Sequence, residues 1–235
     1  MDVEGCPLPD DRLYDLEHDV WLAETGPGEG AVGITAALAA FAGRFTAVTF
    51  RPVEDVVERG RSVATLESVR FTGPVPLPVT GRIVARNEAL LGRPKLLNDH
   101  VYDTGWIVRV ALPEGATWPE SLRTAEAARA SYAARIAELR VHCLPGAPDV
   151  EVIEIGSECA AVLARLDEEI ARRADDELVL LVTDDPTSPI ELVRWSDRTG
   201  HTVVAHQRDG TLHRFLVRRE ANPAPRRRPP PTVSR

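Results

Sequence analysis

The chain has 235 residues, of which 43% are hydrophobic and 27% charged, and its formal net charge is −8. These values are ordinary for a globular protein, and the negative charge argues against nucleic acid as the main partner, because phosphate contacts need a basic face. No apolar run reaches the roughly 18 residues of a membrane span, and the opening residues lack the basic start and apolar stretch of a signal peptide. We therefore expect a cytoplasmic protein without a membrane partner.

Residues 1 to about 112 are predicted to be β-rich. Short apolar runs alternate there with turn signals built from glycine and proline, which is the pattern of a small sandwich or barrel. The clearest predicted strands are Phe45–Phe50, Ser62–Leu66 and Ile107–Leu112.

A helix is predicted after this β-rich part. Thr117 and Glu120 form a T-x-x-E capping box with Pro119 in the first turn, and apolar residues follow at helical spacing. The helix should end near Arg140, and residues 142–149, which are rich in proline and glycine, are predicted to be a linker.

Residues 150–220 are predicted to fold as β-α-β-α-β-β. Ser188-Pro189-Ile190-Glu191 is a capping box for the second helix, Gly200 ends that helix, and Asp209-Gly210 predicts a two-residue hairpin turn. Residues 221–235 are predicted to be a disordered Pro/Arg tail. The remaining predicted elements are the strands Glu151–Ile155, Leu178–Thr183, Thr202–His206 and Leu212–Arg218 and a helix over Glu158–Arg173.

An ordered set of motifs in the first part of the chain resembles the glycine cleavage H-protein family. The resemblance implies an all-β, lipoyl-type sandwich (a hammerhead barrel) with a C-terminal helix over residues 1–141. The motifs are, in chain order, Val32-Gly33-Ile34-Thr35, Leu66-Glu67-Ser68-Val69, Pro78-Val79-Thr80-Gly81, Leu97-Asn98-Asp99 and Gly105-Trp106.

The resembled family carries lipoate on a hairpin lysine, and Arg70 occupies that position here. A guanidinium stays protonated and offers no nucleophilic amine for an amide bond. The one lysine of the chain, Lys95, lies outside this hairpin, and we interpret it as a surface lysine in a loop. We therefore expect no cofactor and no lipoate.

Residues 150–220 resemble the TusA family of sulfur carriers through Gly156-Ser157-Glu158-Cys159 and Asp184-Asp185-Pro186. The resemblance implies a two-layer α/β sandwich in which Cys159 carries sulfur as a persulfide. Cys159 would lie in the first turn of a helix, where unpaired N–H groups favour the thiolate. Two features depart from the family: the prolines of its C-P-x-P motif are absent, and the charge of Glu158 opposes the thiolate.

The other candidate side chains are interpreted as structural. Three cysteines in a cytoplasmic chain do not suggest a disulfide framework, so no role is predicted for Cys6 or Cys143. The alternatives are a redox role for Cys6 and a sulfur relay or a disulfide with Cys159 for Cys143. His206 and His213 should face each other as an exposed cross-strand pair, and no metal site is predicted.

These features predict a two-domain sulfur-relay protein, a sulfurtransferase-like carrier rather than a turnover enzyme. Cys159 would accept persulfide sulfur from a donor such as a cysteine desulfurase and pass it to a downstream acceptor or thiolation enzyme. The unlipoylated first domain would dock onto a partner. The alternatives are a non-catalytic adaptor built from two pseudo-carrier domains and, third, a glycine cleavage H protein, against which Arg70 argues.

Overall fold

The computed structural model describes residues 1–52 and 56–224, and the chain divides into two compact units. The first unit is Met1–Ala147 and the second begins at Pro148, so the division falls within the predicted linker. Most of the predicted tail, residues 225–235, lies outside the described residues. No helix among the described residues is both long and apolar enough to cross a bilayer.

The described part of the first unit is built on two main sheets and four helices. Its strands are β1 (Asp2–Val3), β2 (Cys6–Pro7), β3 (Leu13–Asp15), β4 (Val20–Gly26), β5 (Glu29–Ile34), β6 (Phe45–Phe50), β7 (Ser62–Ser68), β8 (Thr72–Pro76), β9 (Arg82–Arg86), β10 (Val108–Ala111) and β11 (Arg123–Thr124). Its helices are α1 (Ala36–Ala42), α2 (Ala89–Gly92), α3 (Leu96–Asp99) and α4 (Ala125–Leu139).

The strands form a β-sandwich, as the resemblance implied. One sheet has the order β11-β3-β4-β5-β10-β9 and the other β6-β7-β8, while β1 and β2 pair separately. Burying each large apolar side chain between the sheets contributes about 1.5–3 kcal/mol relative to leaving it in water. The fully buried side chains of this core include Val20, Leu22, Val32, Ile34, Phe45, Val63, Leu66, Val75 and Leu77.

The long helix of the first unit begins later than the capping box at Thr117 predicted. Arg123 and Thr124 pair with β3, which keeps them extended, and the Thr124 hydroxyl then accepts a hydrogen bond from the Ala127 N–H. Thr124 therefore caps α4, and the prediction of a helix start at Thr117 is wrong. The predicted end is confirmed, because Arg140 closes the helix with a left-handed φ of 52°.

The second unit has the predicted element order β-α-β-α-β-β. Its sheet order is β12-β13-β15-β14, with β12 parallel to β13 and the other pairs antiparallel. Every residue of β13 is buried, as its apolar run predicted. The elements are β12 (Val150–Glu154), α5 (Cys159–Ala171), β13 (Leu178–Thr183), α6 (Ser188–Thr199), β14 (Thr202–Asp209) and β15 (Leu212–Arg218).

Two local predictions for the second unit are wrong by one residue. Thr187, not Ser188, precedes α6 as its cap, and the Ser188 hydroxyl is buried without a hydrogen-bond partner among the described residues. Asp209 pairs with Leu212, so the turn is formed by Gly210 and the residue after it. Gly210 takes the positive φ that the turn requires and leaves Asp209 in the strand. The predicted left-handed cap at Gly200 is confirmed.

Candidate functional site

The hairpin that carries Arg70 joins β7 to β8 through a tight turn. The Ser68 N–H donates to the Phe71 carbonyl at 2.7 Å. The Ser68 hydroxyl oxygen accepts from the N–H groups of Arg70 and Phe71 at 3.2 and 3.0 Å. These bonds fix the turn and leave Val69, with 93% of its surface exposed, at the tip.

The hairpin tip is anchored to the C-terminal end of α1. The Ser68 hydroxyl donates to the Ala42 carbonyl at 2.6 Å. The Phe71 ring meets Phe41 and Phe45 edge to face, with centroid distances of 6.3 and 6.4 Å. Such ring pairs stabilise beyond their buried area, so hydrogen bonding and packing both hold the tip to the helix.

The guanidinium of Arg70 folds back onto the residue that ends α1. Gly43 has a φ of +70°, and a Cβ added there would lie 2.6 Å from Arg70 Nη2. The guanidinium thus occupies the space that any side chain at position 43 would need. It also lies at the negative end of the short helix, where backbone carbonyls favour a cation. Position 70 therefore holds a packed cation rather than an acylable amine.

Asn98 secures the same helix end from inside the core. Its side-chain amide donates to the Gly43 carbonyl at 2.8 Å, and its oxygen accepts from the Phe45 N–H at 3.0 Å. No role was predicted for this buried residue from the sequence. The sequence feature that could have identified it is an asparagine directly after two leucines. A polar side chain that is buried in an apolar helix needs hydrogen-bond partners.

Lys95, interpreted as a loop lysine, lies at the start of α3. Its Nζ is 3.8 Å from a carboxylate oxygen of Asp99, and only 22% of its side chain is exposed. The amine is thus partly buried beside a carboxylate, unlike an exposed side chain at a hairpin tip.

Cys159 is the first residue of α5, close to the predicted helix start, and its thiol is half-buried. Burial raises the pKa of the thiol, a hydrogen bond with Thr187 lowers it, and the carboxylates of Asp185 and Glu191 raise it again. The balance is a raised pKa, so the surroundings favour the protonated thiol. The helix start alone would favour the thiolate, and tertiary neighbours reverse that preference.

Asp184 and Asp185 form the strand-to-helix turn after β13. Asp184 accepts from the Gly156 N–H at 2.8 Å. Asp185 accepts from both the N–H and the hydroxyl of Thr187 at 2.7 Å, and these bonds lower its pKa. The pair therefore stabilises the turn before Cys159 and the start of α6.

His206 and His213 are in contact, but the predicted direct pairing is wrong, because His206 pairs with Phe215 and His213 with Arg208. His213 is also buried rather than exposed. His206 Nε2 and His213 Nδ1 are 3.0 Å apart, and the His206 ring stacks on Phe215 with a centroid distance of 4.3 Å. One nitrogen must accept the proton that the other donates, so at most one ring can be charged while the bond is kept. Burial, and then His213, lower the pKa of His206.

Cys6 and Cys143 are joined by a disulfide, which the sequence analysis did not predict. Their Cα atoms are 5.0 Å apart although 137 residues separate them in the chain. Disulfides are rare in cytoplasmic proteins, so the expected location argued against a pair. Only the tertiary fold brings β2 beside the end of α4. The interpretation of Cys143 as an unpaired loop cysteine is therefore wrong, and Cys159 is the free cysteine.

One cluster of possible metal ligands was not anticipated. Ligand atoms of Asp15, Glu17 and His18 lie within 4.8 Å of one another. The buried Asp15 carboxylate is, however, 3.2 Å from Arg59 Nη2 and 3.1 Å from His18 Nδ1. The arginine already supplies the positive charge that a metal would bring, so these residues form an ion-pair network.

Comparison with known proteins places this geometry in a family. The family model described as glycine cleavage H-protein matches residues 12–134. Glycine cleavage system H protein 5 of Aquifex aeolicus is 46% identical over 121 residues, which cover 49% of this chain and 81% of the relative. A probable glycine cleavage system H protein 2 of Sulfurisphaera tokodaii is 35% identical over 123 residues, covering 52% of this chain and 80% of the relative.

A crystal structure of a glycine cleavage system H protein from Mycobacterium marinum also matches, with 27% identity and a TM-score of 0.43, covering 53% of this chain and 98% of that one. The family model ends at residue 134 and leaves the second unit unassigned. Through its first unit, the chain belongs to the glycine cleavage H-protein family.

Proposed function

We propose that this protein is a docking member of the H-protein family that carries no lipoate. The observation that carries the proposal is the packing of Arg70 against Gly43 at the position of the lipoyl lysine. An amide to lipoate needs a free amine, and a guanidinium at the end of α1 provides none. The hairpin keeps a defined shape through contacts that need no cofactor.

The docking surface is the hairpin patch, defined as Phe41, Arg44, Val69, Arg70 and Phe71. Phe41 is 41% exposed and Val69 93% exposed, although both are large apolar residues. Aromatic and arginine side chains are enriched in protein contact surfaces, and a few of them supply most of the binding energy. Glu67, exposed on the same hairpin, offsets part of the positive charge.

The partner we propose is the component of a glycine cleavage system that receives an H protein. The relatives at 46% and 35% identity are named as H proteins of that system. A chain that keeps the hairpin but lacks the cargo would occupy the docking site without passing anything on. It would therefore act as an adaptor or as a competitor of lipoylated H protein.

Mass spectrometry after incubation with a lipoate ligase and lipoate tests the missing cargo. We expect no lipoyl adduct on the wild-type chain and an adduct at position 70 in Arg70→Lys. Lys95→Arg is the matched control, because it removes the one natural lysine. An adduct on wild type that disappears in Lys95→Arg would show a carrier with a displaced attachment site and overturn the proposal.

A competition assay tests the docking. Excess wild-type chain should slow glycine cleavage reconstituted with lipoylated H protein, and Val69→Asp should relieve the inhibition. Val193→Asp introduces the same charge at another exposed valine, on α6, and should still inhibit. Equal inhibition by both variants would exclude the hairpin patch as the docking surface.

A second candidate function is sulfur transfer at Cys159, supported by its place at the start of α5 and its state as the free cysteine. In this reaction the Cys159 thiolate attacks the outer sulfur of a donor persulfide, such as that of a cysteine desulfurase, and the donor leaves as a thiolate. Burial of the thiol, and then the neighbouring carboxylates, disfavour the thiolate and imply that Cys159 accepts sulfur slowly.

Incubation with a cysteine desulfurase and cysteine should add one sulfur atom to the wild-type chain and none to Cys159→Ser. An unmodified wild-type chain, or a sulfur adduct that persists in the variant, would exclude this role and leave the adaptor function alone.

A further inference from the structure

The disulfide between Cys6 and Cys143 fastens the opening segment of the chain to the segment that follows α4. Cys6 is 0% exposed and Cys143 7% exposed, and their Cα separation of 5.0 Å is within the range that a disulfide spans. Beside the bond, the small β1-β2 pair holds the opening segment, and the Leu8 N–H donates to the Met1 carbonyl. Strands of two residues supply little stability of their own, so the covalent bond is the main restraint.

The residue next to the disulfide takes part in holding the start of α1. The Pro7 carbonyl accepts from the hydroxyls of Tyr102 and Tyr132 at 3.0 and 3.5 Å. The same two hydroxyl oxygens accept from the N–H groups of Ala36 and Ala37, both at 3.1 Å. Two of the unpaired N–H groups that begin α1 are thus satisfied by tyrosine hydroxyls that also contact the Pro7 carbonyl and each other.

The other end of α1 touches the hairpin patch. The Ala42 carbonyl accepts from Ser68, and Gly43 lies under Arg70. A helix of seven residues therefore connects the disulfide end of the first unit to the hairpin tip. Displacing Pro7 would leave the Tyr102 hydroxyl without its acceptor and Tyr132 with Tyr102 as its remaining partner, and would weaken the start of that helix.

We propose that the Cys6–Cys143 pair is a thiol–disulfide exchange site whose substrate is a dithiol, and that its redox state sets the order of α1. In the cytoplasmic location that the sequence predicts, disulfides are usually transient or redox-sensing rather than permanent. This inference goes beyond the docking function and does not depend on it.

The thiol–disulfide exchange proceeds in two steps. A dithiol thiolate attacks Sγ of Cys143, the less buried residue of the pair, forming a mixed disulfide and releasing the Cys6 thiolate, which takes up a proton. The second thiolate of the reductant then displaces Cys143 and closes its own disulfide. Two electrons and two protons thus pass from the dithiol to the cysteine pair.

The test compares the full chain before and after treatment with dithiothreitol, with Cys159→Ser as background so that the pair is the only redox-active group. Alkylation after denaturation should label no cysteine in the oxidised protein and both cysteines in the reduced one. Hydrogen exchange at Ala36 and Ala37 should become faster by about tenfold or more on reduction. Exchange along β13 of the second unit should stay unchanged and serves as the internal control.

Each other result overturns the proposal. Labelling of both cysteines in protein kept under oxidising conditions would show that the bond does not form. A bond that dithiothreitol leaves intact in the folded protein would show a structural disulfide rather than an exchange site. Unchanged hydrogen exchange at Ala36 and Ala37 after complete reduction would show that the disulfide does not control the order of α1. Without reductant, Cys6→Ser should show the same faster hydrogen exchange at Ala36 and Ala37 as the reduced protein. Retained protection from hydrogen exchange in β4 and β5 would show that the first unit is still folded.

Discussion

At the hairpin of the first unit, Arg70 stands where the resembled family attaches its cargo, and every surrounding contact supports the hairpin shape. At the start of α5 in the second unit, Cys159 is a free thiol, but burial, and then Asp185 and Glu191, disfavour its thiolate. At the first position a defined hairpin is present without an acylable amine. At the second a thiol is present in surroundings that favour its protonated form.

This difference shows that carrier chemistry and carrier shape rest on different atoms. Attachment of lipoate depends on one side-chain amine, whereas the hairpin depends on Ser68, Phe71 and the end of α1. A thiol carrier depends on the charges around one sulfur, and these come from the turn after β13 and from α6. Either kind of change leaves the fold intact.

The strongest test of the hairpin geometry is Gly43→Ala. We expect it to lower the free energy of unfolding of the first unit by about 2–3 kcal/mol, because Gly43 has a glycine-only conformation and the new Cβ would also displace the Arg70 guanidinium. Urea unfolding would measure the loss. Gly60→Ala is the matched control, since Gly60 also has a positive φ but has nothing within 4 Å. Equal losses in the two variants would contradict the packing of Arg70 on Gly43.

Ser68→Ala tests the hydrogen bonds of the hairpin and should have the next largest effect. It removes the donor to the Ala42 carbonyl and the acceptor for two backbone N–H groups, a cost of about 1–3 kcal/mol in urea unfolding. Thr46→Val removes an exposed hydroxyl that donates to the Glu67 carbonyl nearby. This control should cost less than about 0.5 kcal/mol, and a larger loss there than in Ser68→Ala would refute the assigned anchor.

The electrostatics of Cys159 can be measured by its alkylation rate near neutral pH. Wild type should react more slowly than a simple thiol, and Glu191→Gln should raise the rate by about twofold, since one carboxylate that raises the pKa is removed. Glu168→Gln changes a carboxylate on α5 that is not among the groups affecting Cys159 and should leave the rate unchanged. A wild-type rate equal to that of a free thiol would place Cys159 among competent carriers.

The smallest expected effect is a pH dependence of the second unit. The pKa of His206 is lower in the folded chain than the unfolded value of about 6.5, so below that pH the unfolded state binds more protons. The stabilisation is present above about pH 6.5 and is lost as the pH falls through the lower folded pKa. Urea midpoints should therefore drop between about pH 7.5 and about pH 5.5, and His206→Gln should flatten the change. An unchanged slope in that variant would assign the dependence to His201, whose pKa burial also lowers.

Local patterns predicted much of the fold. β6 and β13 have the predicted bounds. The nearly continuous apolar run of β13 marks a buried strand, and the aromatic and β-branched residues of β6 are typical of a half-buried one. Gly200 ends α6 because glycine takes the left-handed conformation at little cost. The start of α4 was missed because pairing of Arg123 and Thr124 with β3, a contact distant in sequence, overrode the capping box at Thr117.

The sequence by itself determined that position 70 holds a guanidinium instead of an amine, and that one free thiol could stand at the start of α5. Both follow from residue identity and from local patterns. Only the tertiary structure decided that Arg70 packs on Gly43, that carboxylates from the following turn and helix surround Cys159, and that Cys6 pairs with Cys143. The physical reason is that a side chain acts through its neighbours in space, and the fold selects these across as many as 137 residues of chain.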